Sequence, residues 1–232
     1  MGLFNKFNKK NNENGSANSN ADSNQNNFDM RGWDAITNEC KRVYPNQLDP
    51  KHYGTLISWR LGGNDPLDGI SIYDGGTYWH FVTFGLSELY EKESDNKDIS
   101  GYGMEFTFKL KKANYDNEEA EIKCICGILQ HIARITFTQG EVFNSYEYLY
   151  TGQTEGIDIN QKSNITGFIT IPDTNLNPIS TPNGLVNFVE FIGVTNNELL
   201  ALKNKQITVK ELYEKIGNDV TDYNRASVIN NL

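Results

Sequence analysis

Met104-Glu105-Phe106-Thr107-Phe108-Lys109-Leu110 alternates apolar and polar residues without a break. With a side-chain period of two, Met104, Phe106, Phe108 and Leu110 share one face of an extended chain, and Glu105, Thr107 and Lys109 share the other. The pattern predicts a half-buried strand of the antiparallel type. Upstream, Ile70 to Tyr73 and Tyr78 to Phe84 read as two more strands, and Asp74-Gly75-Gly76 between them is hairpin chemistry. Tyr53 to Leu61 (YGTLISWRL) is a candidate first strand, followed by the turn residues Gly62-Gly63-Asn64-Asp65-Pro66.

Helical periodicity brackets these strands. Trp33, Ile36, Cys40 and Val43 recur at three- and four-residue steps, so Gly32 to Val43 suggests an amphipathic helix stopped by Pro45. Glu118 to Ile135 is the main helix. Its stripe is Ile122, Ile125, Cys126, Leu129, Ile132 and Ala133, and Glu118, Glu119 and Glu121 sit where the helix dipole favours acids. Strands over Ile165 to Ile171 and Leu185 to Val194 follow, joined by a loop containing Pro172, Pro178 and Pro182. Thr195 with Glu198, and Thr208 with Glu211, each fit a capping box and start two short helices. Strands and helices interleave without the regular alternation of a doubly wound sheet. The expected class is α+β, with a mixed, mainly antiparallel sheet flanked by helices.

The chain of 232 residues is long enough for one large domain, and 38% hydrophobic content suits a real core. Residues 1–28 differ in kind: this Asn-, Ser- and Lys-rich stretch cannot bury enough apolar surface to offset the entropy of ordering. It is read as a disordered leader before a single domain over 29–232. Leu3, Phe4 and Phe7 among Lys6, Lys9 and Lys10 could touch a partner or a membrane surface, or could be inert.

A formal charge of −9 argues against non-specific binding to nucleic acid and suits a basic protein partner, although it also serves plain solubility. The three cysteines, Cys40, Cys124 and Cys126, have neither a disulfide framework's count nor a zinc knuckle's spacing. They are expected to be reduced. No apolar run approaches the ~20 residues of a membrane span, and no secretory h-region appears. A cytoplasmic protein without metal or cofactor is the expectation.

Chemistry-bearing residues are sparse. Asp65 and Asp68 flank Pro66-Leu67 and could bind a divalent ion or share acid–base work, or could simply bond local amides in a turn. His80 between Trp79 and Phe81 could be a base or a packed residue, and His131 sits beside the stripe of the main helix. The chain has no nucleophile elbow, P-loop or dinucleotide fingerprint. A metal-dependent or hydrolytic enzyme using Asp65, Asp68 and His80 is therefore the alternative, beside a general regulatory scaffold. Tyr73, Tyr78, Trp79, Phe81, Phe84 and Tyr90, near Glu88, Glu91 and Glu93, suit either a recognition surface or a sheet core.

Three collinear blocks carry a resemblance. Gly63-Asn64-Asp65-Pro66-Leu67-Asp68-Gly69-Ile70-Ser71-Ile72-Tyr73 is the first. The second is Trp79-His80-Phe81-Val82-Thr83-Phe84-Gly85-Leu86-Ser87-Glu88-Leu89-Tyr90 with Ser100-Gly101-Tyr102-Gly103 and the alternating strand after it. The third runs from Thr181-Pro182-Asn183-Gly184-Leu185-Val186 through Phe191-Ile192-Gly193-Val194-Thr195 to Glu198-Leu199. Together they resemble the Suppressor of fused family over about residues 30 to 225. The resemblance implies an α+β domain like that family's amino-terminal lobe, with no catalytic activity. Animal members sequester Gli-type transcription factors by gripping a short peptide as an added strand between two lobes, and the second lobe is not matched here. Single-domain bacterial relatives are proposed immunity proteins that neutralise a toxin. The expectation is therefore a partner-binding module, with a toxin or a basic peptide segment as the partner. Its binding residues would be Tyr73, Phe81, Glu88 and Glu91, with the matching strand as an edge for strand addition.

Overall fold

The computed structural model describes residues 30–229. In chain order the elements are α1 (Arg31–Val43), β1 (Lys51–Gly54), β2 (Gly69–Asp74), β3 (Tyr78–Phe84), β4 (Ile99–Lys111), α2 (Glu118–Gln139), β5 (Tyr148–Leu149), β6 (Ile165–Pro172), β7 (Ile179–Thr181), β8 (Gly184–Thr195), α3 (Asn196–Lys203) and α4 (Val209–Ile216). The reading of residues 1–28 as a leader lies outside the described residues.

One mixed sheet organises the chain, in the order β1-β2-β3-β4-β8-β6-β5, with β7 hydrogen-bonded to β8 off that path. All pairings are antiparallel except β4 with β8, which is parallel. That single parallel step follows from connectivity: α2 and the β6 hairpin intervene, and the chain returns beside β4 in the same direction.

The sheet is covered on both faces. One face carries Ile70, Ile72, Phe81, Phe106, Phe108, Val189 and Phe191, which pack against the stripe of α2. On the other face, Tyr73, Val82, Phe84 and Phe188 meet Ile36, Cys40 and Tyr44 of α1 and its C-terminus. Farther along that same face, Ile169, Ile171, Ile192 and Val194 meet Leu199, Leu202 and Leu212 of α3 and α4. Both predicted capping boxes are present, Thr195 with Glu198 and Thr208 with Glu211.

Two expectations are corrected. The strand predicted over Tyr53 to Leu61 stops at Gly54, and Trp59–Leu61 is a 3₁₀ turn. Leu56, Ile57 and Leu61 point into solvent, at 102%, 58% and 81% exposure. Their hydrophobicity resembles a strand's because composition alone does not say which surface a side chain meets. The second correction concerns β4, which is not half-buried: Glu105, Thr107 and Lys109 are each 0% exposed. Between the α1 cluster and the α3–α4 cluster, this polar face of β4 is roofed by residues 173–174 and by Asp219.

Under that roof lies a buried polar seam. Tyr44 Oη meets His80 Nδ1 at 2.8 Å, and His80 Nε2 meets Asp173 Oδ2 at 2.9 Å. Thr107 donates to the same Asp173 oxygen at 2.6 Å, and the amides of Asn175 and Leu176 donate to the other at 2.7 Å. Lys109 Nζ bonds Glu190 at 3.0 Å, Thr174 at 2.7 Å and Asp219. Burial would raise the Asp173 carboxyl, but the His80 bond and charge, with Lys109 and Thr107, hold it far below the carboxylate range. The Glu190 carboxyl goes the other way: complete burial and the nearby Asp173 raise it despite Lys109.

Candidate functional site

Asp68, Gly85 to Tyr90 and Gly101-Tyr102 lie far apart in sequence, yet all line one groove of about 360 Å³. Trp59, Arg60, Pro66, Glu93, Ser94 and Phe137 complete it. Its aromatic side is an edge-to-face chain, Trp59 to Phe137 at 5.7 Å and Phe137 to Tyr102 at 5.3 Å between ring centroids. Leu56, Ile57 and Leu61, all exposed, lie within three residues of Trp59 in the chain.

Two glycines let these loops converge. Gly85 has φ +132°, and a Cβ there would stand 2.8 Å from the Asp68 amide nitrogen. Gly101 has φ +57°, and a Cβ there would stand 2.7 Å from the Leu86 carbonyl oxygen. Any larger residue would push the loops apart.

Two buried carboxylates hold the groove's backbone. Glu105, reaching up from β4, accepts from Thr83 Oγ1 (2.7 Å), from the amides of Gly85 and Ser87 (3.0 Å each) and from Ser87 Oγ (2.6 Å). Full burial pushes its carboxyl up to about 7 in spite of these donors. Glu88 accepts from Lys92 Nζ (2.8 Å) and from the amides of Glu93 (2.8 Å), Gly101 (3.0 Å) and Ser94. Burial alone would raise it, but Lys92 and those amides bring it down to about 2. Asn183 Nδ2 bridges the carbonyls of Glu88 (2.8 Å) and Tyr90 (2.9 Å), and the Trp33 amide of α1 donates to Leu89 O at 3.0 Å.

The candidates from the sequence separate here. Glu88 lines the groove, but its oxygens are engaged within the chain and it is 8% exposed. Glu91 is exposed beside it. Phe81, at 0%, and Tyr73, at 3%, are core residues, so contact through their side chains would require opening the domain. The expected edge is corrected outright: β3 is paired on both sides, with β2 and β4, and offers no free edge. Among the described residues, the strands paired on one side only are β1, β5 and the three-residue β7.

Asp65, Asp68 and His80 are not brought together. Asp65 pairs with Arg134 of α2 at 3.1 Å, Asp68 lines the groove, and His80 lies buried on the α1 face. Among the described residues no group of three or more His, Cys, Asp or Glu is placed to hold a metal ion. Burial pushes the Cys40 and Cys126 thiols up to about 12, which keeps them protonated and unreactive. No helix among the described residues is long and apolar enough to cross a membrane.

Sequence reading misses Trp59, Arg60 and Phe137 as groove residues. Trp59 falls within the expected first strand, and Phe137 lies beyond the expected end of α2, which runs on to Gln139 before the left-handed cap at Gly140.

Comparison with known proteins agrees with this architecture. Residues 63–226 match the family model described as Suppressor of fused protein. The human and mouse Suppressor of fused homologs are each 33% identical over 184 residues, covering 72% of this chain. The chain spans about a third, 36%, of the length of those relatives. The crystal structure of the Sufu–Fu complex superposes with a TM-score of 0.73 at 28% identity, covering 86% of this chain and 93% of that one. Drosophila Suppressor of Fused gives 0.73 at 27% identity, covering 86% and 52%. A Suppressor of fused homolog from Neisseria gonorrhoeae gives 0.55 at 16% identity, covering 86% and 97%, and shares the fold.

Proposed function

We propose that this chain, which belongs to the Suppressor of fused family, is a protein-binding module that holds a polypeptide partner in the groove of Trp59, Tyr90, Tyr102 and Phe137 and transforms nothing. One observation carries the reading. Gly85 to Tyr90 and Gly101-Tyr102, within the residues matched to the family, converge with Trp59 and Phe137 on an aromatic-walled groove, while Leu56, Ile57 and Leu61, neighbours of Trp59 in the chain, stand in solvent. Exposed apolar residues beside an aromatic cleft are the composition of an interface core, and the acids around it suit a basic partner segment. A relative crystallised in a complex, Sufu with Fu, supports binding of a protein.

Occlusion of a partner needs an interface of roughly 1,200–2,000 Å² and no reaction, which fits an immunity-type inhibitor that neutralises a toxin in the cytoplasm. Glu91 would meet basic groups on that partner, whereas Glu88 acts by shaping the loop that presents Glu91. Affinity capture from the native cell, comparing the wild-type chain with a folded Trp59→Ser, Leu61→Ser variant, tests the site. The reading expects a partner retained by the wild type and lost by the variant, and equal retention would remove the groove. Protection of cells from the captured partner's toxicity tests the immunity role, and a non-toxic partner would sink it.

A further inference from the structure

The groove already holds a cation of its own. Arg60 lines it from the 3₁₀ turn and Glu93 from the loop after Tyr90, and the two form an ion pair. They are 33 residues apart in sequence, so the pair bridges two walls that only the fold has brought together. The bridge is on the solvent side, with side chains 60% and 47% exposed. Exposed pairs of this kind add little stability, because water screens the charges and both long side chains lose freedom.

Asp68 differs from the other acids of the lining. Its side chain is half-buried in the groove, and among the described residues it forms no ion pair. Burial holds its carboxyl above the usual aspartate range, while the charge of Arg60 and the Tyr90 side chain pull it back. Arg60 thus acts on Asp68 through space while its own contact goes to Glu93. Glu88 is fully engaged by Lys92 and by backbone amides. Trp59, Tyr90, Tyr102 and Phe137 line the same space, and their rings suit both parts of a basic side chain. Aromatic faces attract a cation, and apolar walls shelter the methylene stem behind it.

We propose that the groove receives one basic side chain of the partner polypeptide, a lysine or an arginine, whose head meets Asp68 and Glu93 in place of Arg60. This rests on the reading of the groove as a partner site, and it names what that site selects. Arg60 is then a built-in competitor. An exposed ion pair is closed about 1.4 to 5 times as often as it is open. A ligand that needs it open is weakened about two- to sixfold, which is the barrier Arg60 sets against weakly basic or neutral segments. Removing this cation should therefore strengthen binding, the opposite of what a residue contributing contacts to the partner would show.

The test titrates the isotope-labelled, full-length chain with the blocked peptide Ac-Ala-Ala-Lys-Ala-Ala-amide, followed by amide and indole resonances. A twin peptide with norleucine for lysine keeps the stem and lacks the charge. The expected result is saturable shifts at the Trp59 indole and the Gly101 and Tyr102 amides, with the norleucine peptide at least about fivefold weaker. Asp68→Asn, an isosteric change, should weaken the lysine peptide about fivefold and leave the norleucine peptide unchanged. Arg60→Ala, at a largely exposed position, should tighten the lysine peptide about two- to sixfold. Equal affinity for the two peptides would overturn the proposal, as would the absence of saturable shifts at the groove. An Arg60→Ala chain that binds the lysine peptide no better than wild type would overturn it as well. Partner capture separates the two readings. Capture lost with Trp59→Ser, Leu61→Ser but undiminished by Asp68→Asn keeps the partner site and sinks the basic-side-chain pocket. Capture indifferent to every groove variant sinks the partner site itself.

Discussion

Replacing Lys109 with Met should destabilise this domain more than any surface substitution. Lys109 is the ammonium set among Glu190, Asp219 and Asp173, its side chain is 1% exposed, and Glu190 beside it is 0% exposed. Burial opposes its charge, but the Coulomb attraction of Glu190 and Asp173 and the contacts of Asp219 outweigh that and raise its pKa above a free lysine's. Met keeps the stem's packing and removes the charge, leaving the acids of the seam without their counter-charge. Breaking a buried pair in this one-sided way costs about 3–5 kcal/mol. With a urea slope of about 2–3 kcal/mol per M, the unfolding midpoint should fall by about 1–2.5 M at unchanged slope. Heat should show the same loss as a Tm lower by roughly 6–20 °C. Adding Glu190→Gln should restore about 0.5–3 kcal/mol, since it removes one of the stranded acids. A midpoint within about 0.2 M of wild type, or a double variant weaker than the sum of its parts, would refute the argument that this ammonium balances the seam.

Other expectations follow from the same geometry. The Glu105 carboxyl is raised to about 7 in the folded chain, so the folded state holds its proton where the unfolded state, near 4.5, has released it. Its contribution is full below pH 4.5 and is lost as pH rises to about 7, and Glu105→Gln should flatten that decline in urea midpoints measured across the window. Glu88 has the opposite sign: held down at about 2, its contribution is present above pH 4.5 and lost as pH falls toward 2. Glu88→Ala should accordingly cost about 2 kcal/mol at neutral pH and speed amide exchange over residues 91–101, and unchanged exchange there would count against the clamp. Arg225 meets Glu198 through two nitrogens at 2.6 and 2.7 Å, tying the C-terminal segment to the start of α3. Glu198 is 0% exposed, so Glu198→Ala also strands the Thr195 cap, and a loss of about 2–4 kcal/mol with faster exchange over 220–229 is expected in urea melts and hydrogen exchange.

Local chemistry was legible in the chain itself. Three- and four-residue steps marked α1 and α2, Gly75-Gly76 marked the β2–β3 hairpin, and Thr195 and Thr208 each announced a helix through a glutamate three residues on. Collinear blocks told the family, and with it the α+β class. All of these are signals between neighbours in sequence, where propensity, capping and alternation act directly.

Tertiary structure alone decided what covered each face. Alternation in β4 sorted Phe106 and Phe108 from Thr107 and Lys109, but it could not say that residues 173, 174 and 219 would close over the polar side and bury it. Nor could the apolar run of Leu56, Ile57 and Leu61 reveal that it lies in solvent, since hydrophobicity is a property of the side chain and burial a property of its neighbours. The groove depends on the same missing knowledge: Trp59, Asp68, Tyr90, Tyr102 and Phe137 are distant in sequence, and only the fold of the sheet against α2 brings them to one place.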